Sequence, residues 1–183
     1  MENYEASLVQ AGLNRTWGDR CLRAAHGLQG YYQKQGIEQA RLDPACDGYS
    51  YWTIIDVMVN QENTYTGQGF LNAFWEPKEG GLTPEEFFAF NGPTVLLADL
   101  DGINAVLTAG ESVAVPLWIS HFAAEPLNDA VLTWTLAAGG NPLLSGEFDA
   151  GSFSPGDVRQ AGTITLETPS VVTPVKATLQ VTV

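Results

Sequence analysis

The texture of this chain changes at "FNGPT" (90–94), and that break limits the available folds more than any other feature. After Gly92 and Pro93 come "TVLLADLDG", "INAVLTAGE", "SVAVPLWISHF", "DAVLTWTLAA", "NPLLSGEFDAG", "DVRQAGTITLE" and "VKATLQVTV". They are short β-rich runs at roughly ten-residue intervals, set apart by Gly, Pro, Asn and Asp. This cadence predicts an antiparallel β-sandwich over 93–183. Val113, Val115, Leu117 and Ile119 alternate with their neighbours, as do Leu132, Trp134 and Leu136 against Val131, Thr133 and Thr135; a strand turns successive side chains to opposite faces. Trp118 and Trp134 then read as core and face residues of the sandwich.

The first half follows another rule. "TWGDRCLRAAHGLQGYYQKQGIEQARLD" reads as one long helix from Thr16 to about Asp43, with Thr16 as its cap and Asp19 in the capping-box position. Cys21, Ala24, Ala25, Leu28 and Tyr32 recur at helical spacing and form the stripe expected to be buried. Gly27, Gly30 and Gly36 each weaken the helix by about 1 kcal/mol relative to Ala, so packing must supply its stability. Pro44 and Gly48 break the chain, and Tyr49 to Val59 is apolar on both faces, the pattern of a covered parallel strand. A long polar, Gly-rich loop leads to "TPEEFFAFN", a short helix with Thr83 as N-cap, Pro84 in the first turn and Glu86 closing a capping box.

Composition narrows the partners. A net charge of −13 and a pI near 4.2 leave no basic surface for phosphates, so nucleic acid and anionic membrane are excluded in favour of a neutral or cationic ligand. From Glu79 onward twelve Asp and Glu stand against Arg159 and Lys176, whereas Arg15, Arg20, Arg23, Lys34 and Arg41 crowd one early segment, which suggests two regions. Cys21 and Cys46 have no metal-knuckle spacing and read as two buried thiols or one bridge. "MENYEASLVQAG" lacks a basic stretch followed by an apolar one, so no export signal is expected in the chain as given.

"LRAAHGLQGYYQKQGIEQARLDPACDGYSYWTIIDV", then "GQGFLNAFWEPK", then "TPEEFFAFNGPTVLLADLD" together resemble the end of the catalytic barrel and the following Ig-like domain of family-2-type glycoside hydrolases. This is the β-galactosidase, β-mannosidase and β-glucuronidase superfamily. The resemblance covers roughly residues 15–105. It implies an α+β chain: a partial (β/α)8-barrel segment over 1–92, then an Ig-like antiparallel β-sandwich over 93–183. The long helix would be the seventh of the barrel, Tyr49 to Val57 its eighth strand, and Phe70 to Lys78 the loop that follows. Barrel enzymes place their sites at the C-terminal ends of the strands. Trp52 is the position matching the Trp that lines the cleaved sugar in related barrels, where some members carry a cis non-proline peptide beside it. An indole face packs against the C–H face of a pyranose.

The expected substrate-binding residues are therefore Trp52, Asp56 on the same side of the strand, and Trp75; in the alternative reading of a non-catalytic carbohydrate-binding module, Trp52, Tyr65 or Trp75 would be the exposed platforms. The two catalytic glutamates of a retaining mechanism would lie upstream, since no Glu here matches either motif. The chain alone is then expected to be inactive. Its partners would be a carbohydrate within the parent protein, and another copy of itself through exposed helix and strand surfaces. No cofactor is implied. His26 and His121 have no ligand partner at metal spacing, and "DLDGIN" (Asp99, Asp101, Asn104) reads as a turn rather than a calcium loop.

Overall fold

The computed structural model describes residues 2–59, 64–100 and 106–183. It forms two compact units, one of Met1–Ile37 with Tyr49–Ala89 and one of Glu38–Gly48 with Phe90–Val183. The chain is α+β, with two three-stranded antiparallel sheets in the second unit.

In the first unit, helix α1 (Glu2–Gln10) precedes the long helix α2 (Arg15–Leu42). The cap of α2 is Asn14, whose Oδ1 accepts the Trp17 N–H at 2.9 Å, rather than Thr16. Arg15 bridges Asp19 (2.8 Å) and Glu5 (2.7 Å), and these two bonds, that to Asp19 first, hold its guanidinium above the ordinary arginine range.

The buried face of α2 is not its apolar stripe. Leu28 and Tyr32 are both 55% exposed, and Cys21, Ala24 and Ala25 also face solvent. Gly18, Gly30, Gln33 and Ile37 are the buried positions. They too recur at helical spacing, about a third of a turn away from the apolar residues. Small size explains the choice, because a Cβ at Gly30 would sit 2.7 Å from Leu82 and one at Gly18 would sit 2.4 Å from the Tyr4 hydroxyl. Glycine lets those segments approach the helix closely. Both thiols are free, and Cys21 lies exposed rather than buried.

Tyr49 to Val59 also departs from expectation. Ile55 makes one parallel bridge to Leu71, and only Val57–Val59 forms a strand (β1), antiparallel to β2 (Thr64–Thr66). A parallel strand exists only where neighbours supply its ladder, and here Ile54 is 58% exposed. Phe70 packs between Tyr51 and Phe87, with ring centroids 4.4 and 4.5 Å away. Helix α3 (Pro84–Asn91) begins with the reciprocal capping box: Thr83 N–H donates to Glu86 Oε2 (2.9 Å) and Glu86 N–H to Thr83 Oγ1 (3.1 Å).

The second unit holds β3 (Thr94–Ala98), β4 (Ser112–His121), β5 (Leu127–Ala138), β6 (Asn141–Phe153), β7 (Asp157–Glu167) and β8 (Ala177–Thr182). The sheet orders are β3-β4-β7 and β6-β5-β8. Val115, Leu117 and Ile119 of β4 and Ile164 and Leu166 of β7 share one buried cluster with Leu132 of β5 and Phe153 of β6. This common core makes the arrangement consistent with a β-sandwich. The β5–β6 hairpin turns through Gly139 and Gly140, both at positive φ (56° and 81°), as a tight two-residue turn requires. Gly162 of β7 lies under the Phe148 ring of β6, where a Cβ would come within 2.4 Å.

Among the described residues one expected run forms no strand. In "INAVLTAGE" residues 103–105 lie outside the described residues, and 106–111 form no strand, with Val106 almost fully exposed. Asp101 and Asn104 of "DLDGIN" also lie outside the described residues. His121 is buried and fully used, bonded to the Thr94 hydroxyl (2.8 Å) and to the Glu125 carbonyl (2.9 Å).

Candidate functional site

One concavity of about 600 Å³ in the first unit gathers the residues of interest. Helix α2 supplies Leu22, Ala25, His26 and Gln29, and Tyr51, Trp52, Gly67 and Gln68 complete the lining. Trp52 is 79% exposed, so its indole is presented rather than packed. The Trp52–Thr53 peptide is cis.

Behind this surface lies a buried polar cluster. The side chains of Asp56 and Lys78 are 5% and 4% exposed and form an ion pair at 2.7 Å. Asp56 Oδ1 also accepts the Gly69 N–H at 2.9 Å. Lys78 Nζ donates further to the Gly67 carbonyl (2.9 Å) and to Gln29 Oε1 (3.4 Å). The three hydrogens of the ammonium thus meet three acceptors. Gln29 Nε2 in turn donates to the Gln68 carbonyl (2.7 Å) and the Gly69 carbonyl (3.3 Å). Gly69 lies so close to the chain at Ile55 that a Cβ would stand 2.2 Å from the Ile55 carbonyl carbon. Residues 67–69 are therefore clamped from both sides.

Leu22 and Ala25 give the concavity an apolar edge, and its other side chains bring polar groups. His26 Nδ1 lies 2.9 Å from the Glu79 carbonyl. A carbonyl only accepts, so Nδ1 carries the hydrogen and, in the neutral ring, Nε2 is left as an acceptor. Tyr51 accepts a hydrogen bond from Gln33 Nε2 at 2.5 Å. Arg23, the nearest cation along α2, is paired with Glu79 at 2.7 Å.

The expected site residues separate. Trp52 lines the concavity; Asp56 stands behind it with its carboxylate committed to Lys78 and Gly69, out of reach of a sugar hydroxyl in solvent. Trp75 sits elsewhere, at positive φ (68°) on a tight turn held by Asn72, whose Oδ1 accepts the N–H groups of Phe74 (2.8 Å) and Glu76 (3.0 Å). Its indole is exposed but does not line the concavity. The side chain of Tyr65 lies outside the described residues. His26, Gln29 and Gln68 were not expected at the site, because a lone His and two amides carry no motif. Lys78 had a signal: a carboxylate in the apolar run "IIDVMV" needs a counter-charge if it is buried. Among the described residues no group of three or more His, Cys, Asp and Glu is placed to hold a metal ion, and no helix is long and apolar enough to cross a membrane.

Residues 111–183 match a family model described as "Domain of unknown function (DUF8488)". That stretch runs from β4 through β8, so the similarity concerns the second unit and says nothing of the concavity in the first. No curated protein matches the chain in sequence.

Proposed function

We propose that this chain is the C-terminal part of a family-2-type glycoside hydrolase, joining the closing segment of a catalytic barrel to an Ig-like domain. Its role in that protein is to present Trp52 as one wall of a sugar site, while the two catalytic glutamates come from elsewhere in the polypeptide. The observation that carries this reading is the exposed indole of Trp52 on a concavity that also presents the amides of Gln29 and Gln68, the Tyr51 hydroxyl and the His26 ring, beside Leu22 and Ala25. An apolar ring face framed by neutral polar groups suits a pyranose, which has an apolar C–H face and a rim of hydroxyls. The order of the quoted motifs along the chain supports it further.

Two measurements test the proposal. The purified chain should not hydrolyse chromogenic β-glycosides, and turnover that survives further purification would overturn its dependence on outside glutamates. In a sugar titration followed by NMR, the Trp52 indole N–H resonance should move, and Trp52→Ala should abolish binding.

A second reading is favoured by the exposed stripe of α2, where Trp17, Leu28 and Tyr32 lie between 44% and 55% exposed. Here the chain is an assembly module whose helix is covered by another polypeptide or another copy. Sedimentation at high concentration distinguishes the two, since a strict monomer removes the self-associating form of this reading.

A further inference from the structure

Two cations close to the concavity are each paired with a carboxylate. Lys78 is matched by Asp56 and Arg23 by Glu79, and among the described residues that line the hollow there is no Lys, Arg, Asp or Glu. Of the two pairs only Lys78–Asp56 is buried, and its ammonium touches the wall itself through the Gly67 carbonyl and Gln29 Oε1. A charge so placed is poorly screened by solvent, so its field reaches a ligand lying against Gly67 and Gln68. Unbalanced, Lys78 would make that wall attractive to an anion.

We propose that Asp56 determines the charge preference of the site: by neutralising Lys78 behind the Gly67–Gln68 wall it reserves the concavity for an uncharged, polyhydroxylated ligand. Asp56 is thus a specificity-determining residue that never touches the ligand. The inference rests on the reading of the concavity as a sugar site and goes beyond it in naming which sugars are refused. The neutral form of the His26 ring fits the same ligand, because its Nε2 then accepts a hydrogen bond from a hydroxyl but not from a carboxylate.

The test compares methyl β-D-glucopyranoside with methyl β-D-glucuronide, which differ by a carboxylate, in titrations of the full chain followed through the backbone amide resonances of Gly67 and Gln68, which also serve in variants that lack Trp52. The wild type should bind the neutral glycoside more tightly. Asp56→Asn keeps the shape of the side chain but frees the Lys78 charge, and should move the affinity ratio about tenfold towards the glucuronide. Lys78→Met should move it the opposite way, and the double variant, with neither charge, should return to the wild-type ratio. A purely structural role for the pair would weaken both ligands in parallel and leave the ratio unchanged, which would overturn the proposal. So would a wild type that prefers the glucuronide or binds the two alike. Should Asp56→Asn fail to fold, Lys78→Met carries the test with the opposite sign. A wild type that binds neither sugar, or binds them equally well without Trp52, overturns the sugar reading and this inference with it. Loss of binding on Trp52→Ala with an unchanged ratio in Asp56→Asn overturns this inference alone.

Discussion

Lys78 is held by Asp56, Gly67 and Gln29 with almost none of its side chain exposed. Removing one partner of such a pair leaves a buried charge uncompensated, which costs about 3–5 kcal/mol. Lys78→Ala should therefore lower the unfolding free energy of the first unit by roughly that amount in a guanidinium titration, and the paired replacement by Asn and Met should cost clearly less. Trp52 should behave in the opposite way. Its indole is so exposed that Trp52→Ala should change stability by less than about 0.5 kcal/mol while removing sugar binding, a separation that paired denaturation and titration data will show. At this scale the sequence singled out Trp52, and the structure places its exposed indole at the concavity. The ion pair of Asp56 with Lys78 was not legible, because Lys78 lies in a separate loop and only folding brings the two together.

Helix α2 shows where periodicity misleads. Hydropathy selects Cys21, Ala24, Ala25, Leu28 and Tyr32 as one face, yet the unit buries the face of Gly18, Gly30, Gln33 and Ile37. The burial of a helix face depends on how closely its neighbours can approach, and glycine permits contacts that its hydropathy does not announce. The exposed stripe gives an element-scale prediction. Leu28→Glu should leave the thermal transition within about 0.5 kcal/mol of the wild type, and should abolish any self-association seen by sedimentation. Helix α3 is the contrasting case, since its capping box involves only residues three apart and was readable from "TPEE". Thr83→Ala should cost about 1 kcal/mol, measured by chemical denaturation.

For the whole molecule, the two sheets of the second unit meet in one apolar core, in which Leu132 is wholly buried. Leu132→Ala should cost about 2–5 kcal/mol in that unit, read from its own denaturation transition. Strand alternation, the Gly139–Gly140 turn, the α3 cap and the acidic charge are local or additive properties, and the sequence by itself determined them. A strand period of two dictates which residues of β4 and β5 face inward once any sheet forms. Tertiary structure alone decided which face of α2 is covered, that Tyr49 to Val59 forms little continuous strand, and that Lys78, Gln29 and the 67–69 segment close around Asp56. The physical reason is that burial, ladder pairing and charge neutralisation are relations between segments distant in the chain, which no window of neighbouring residues contains.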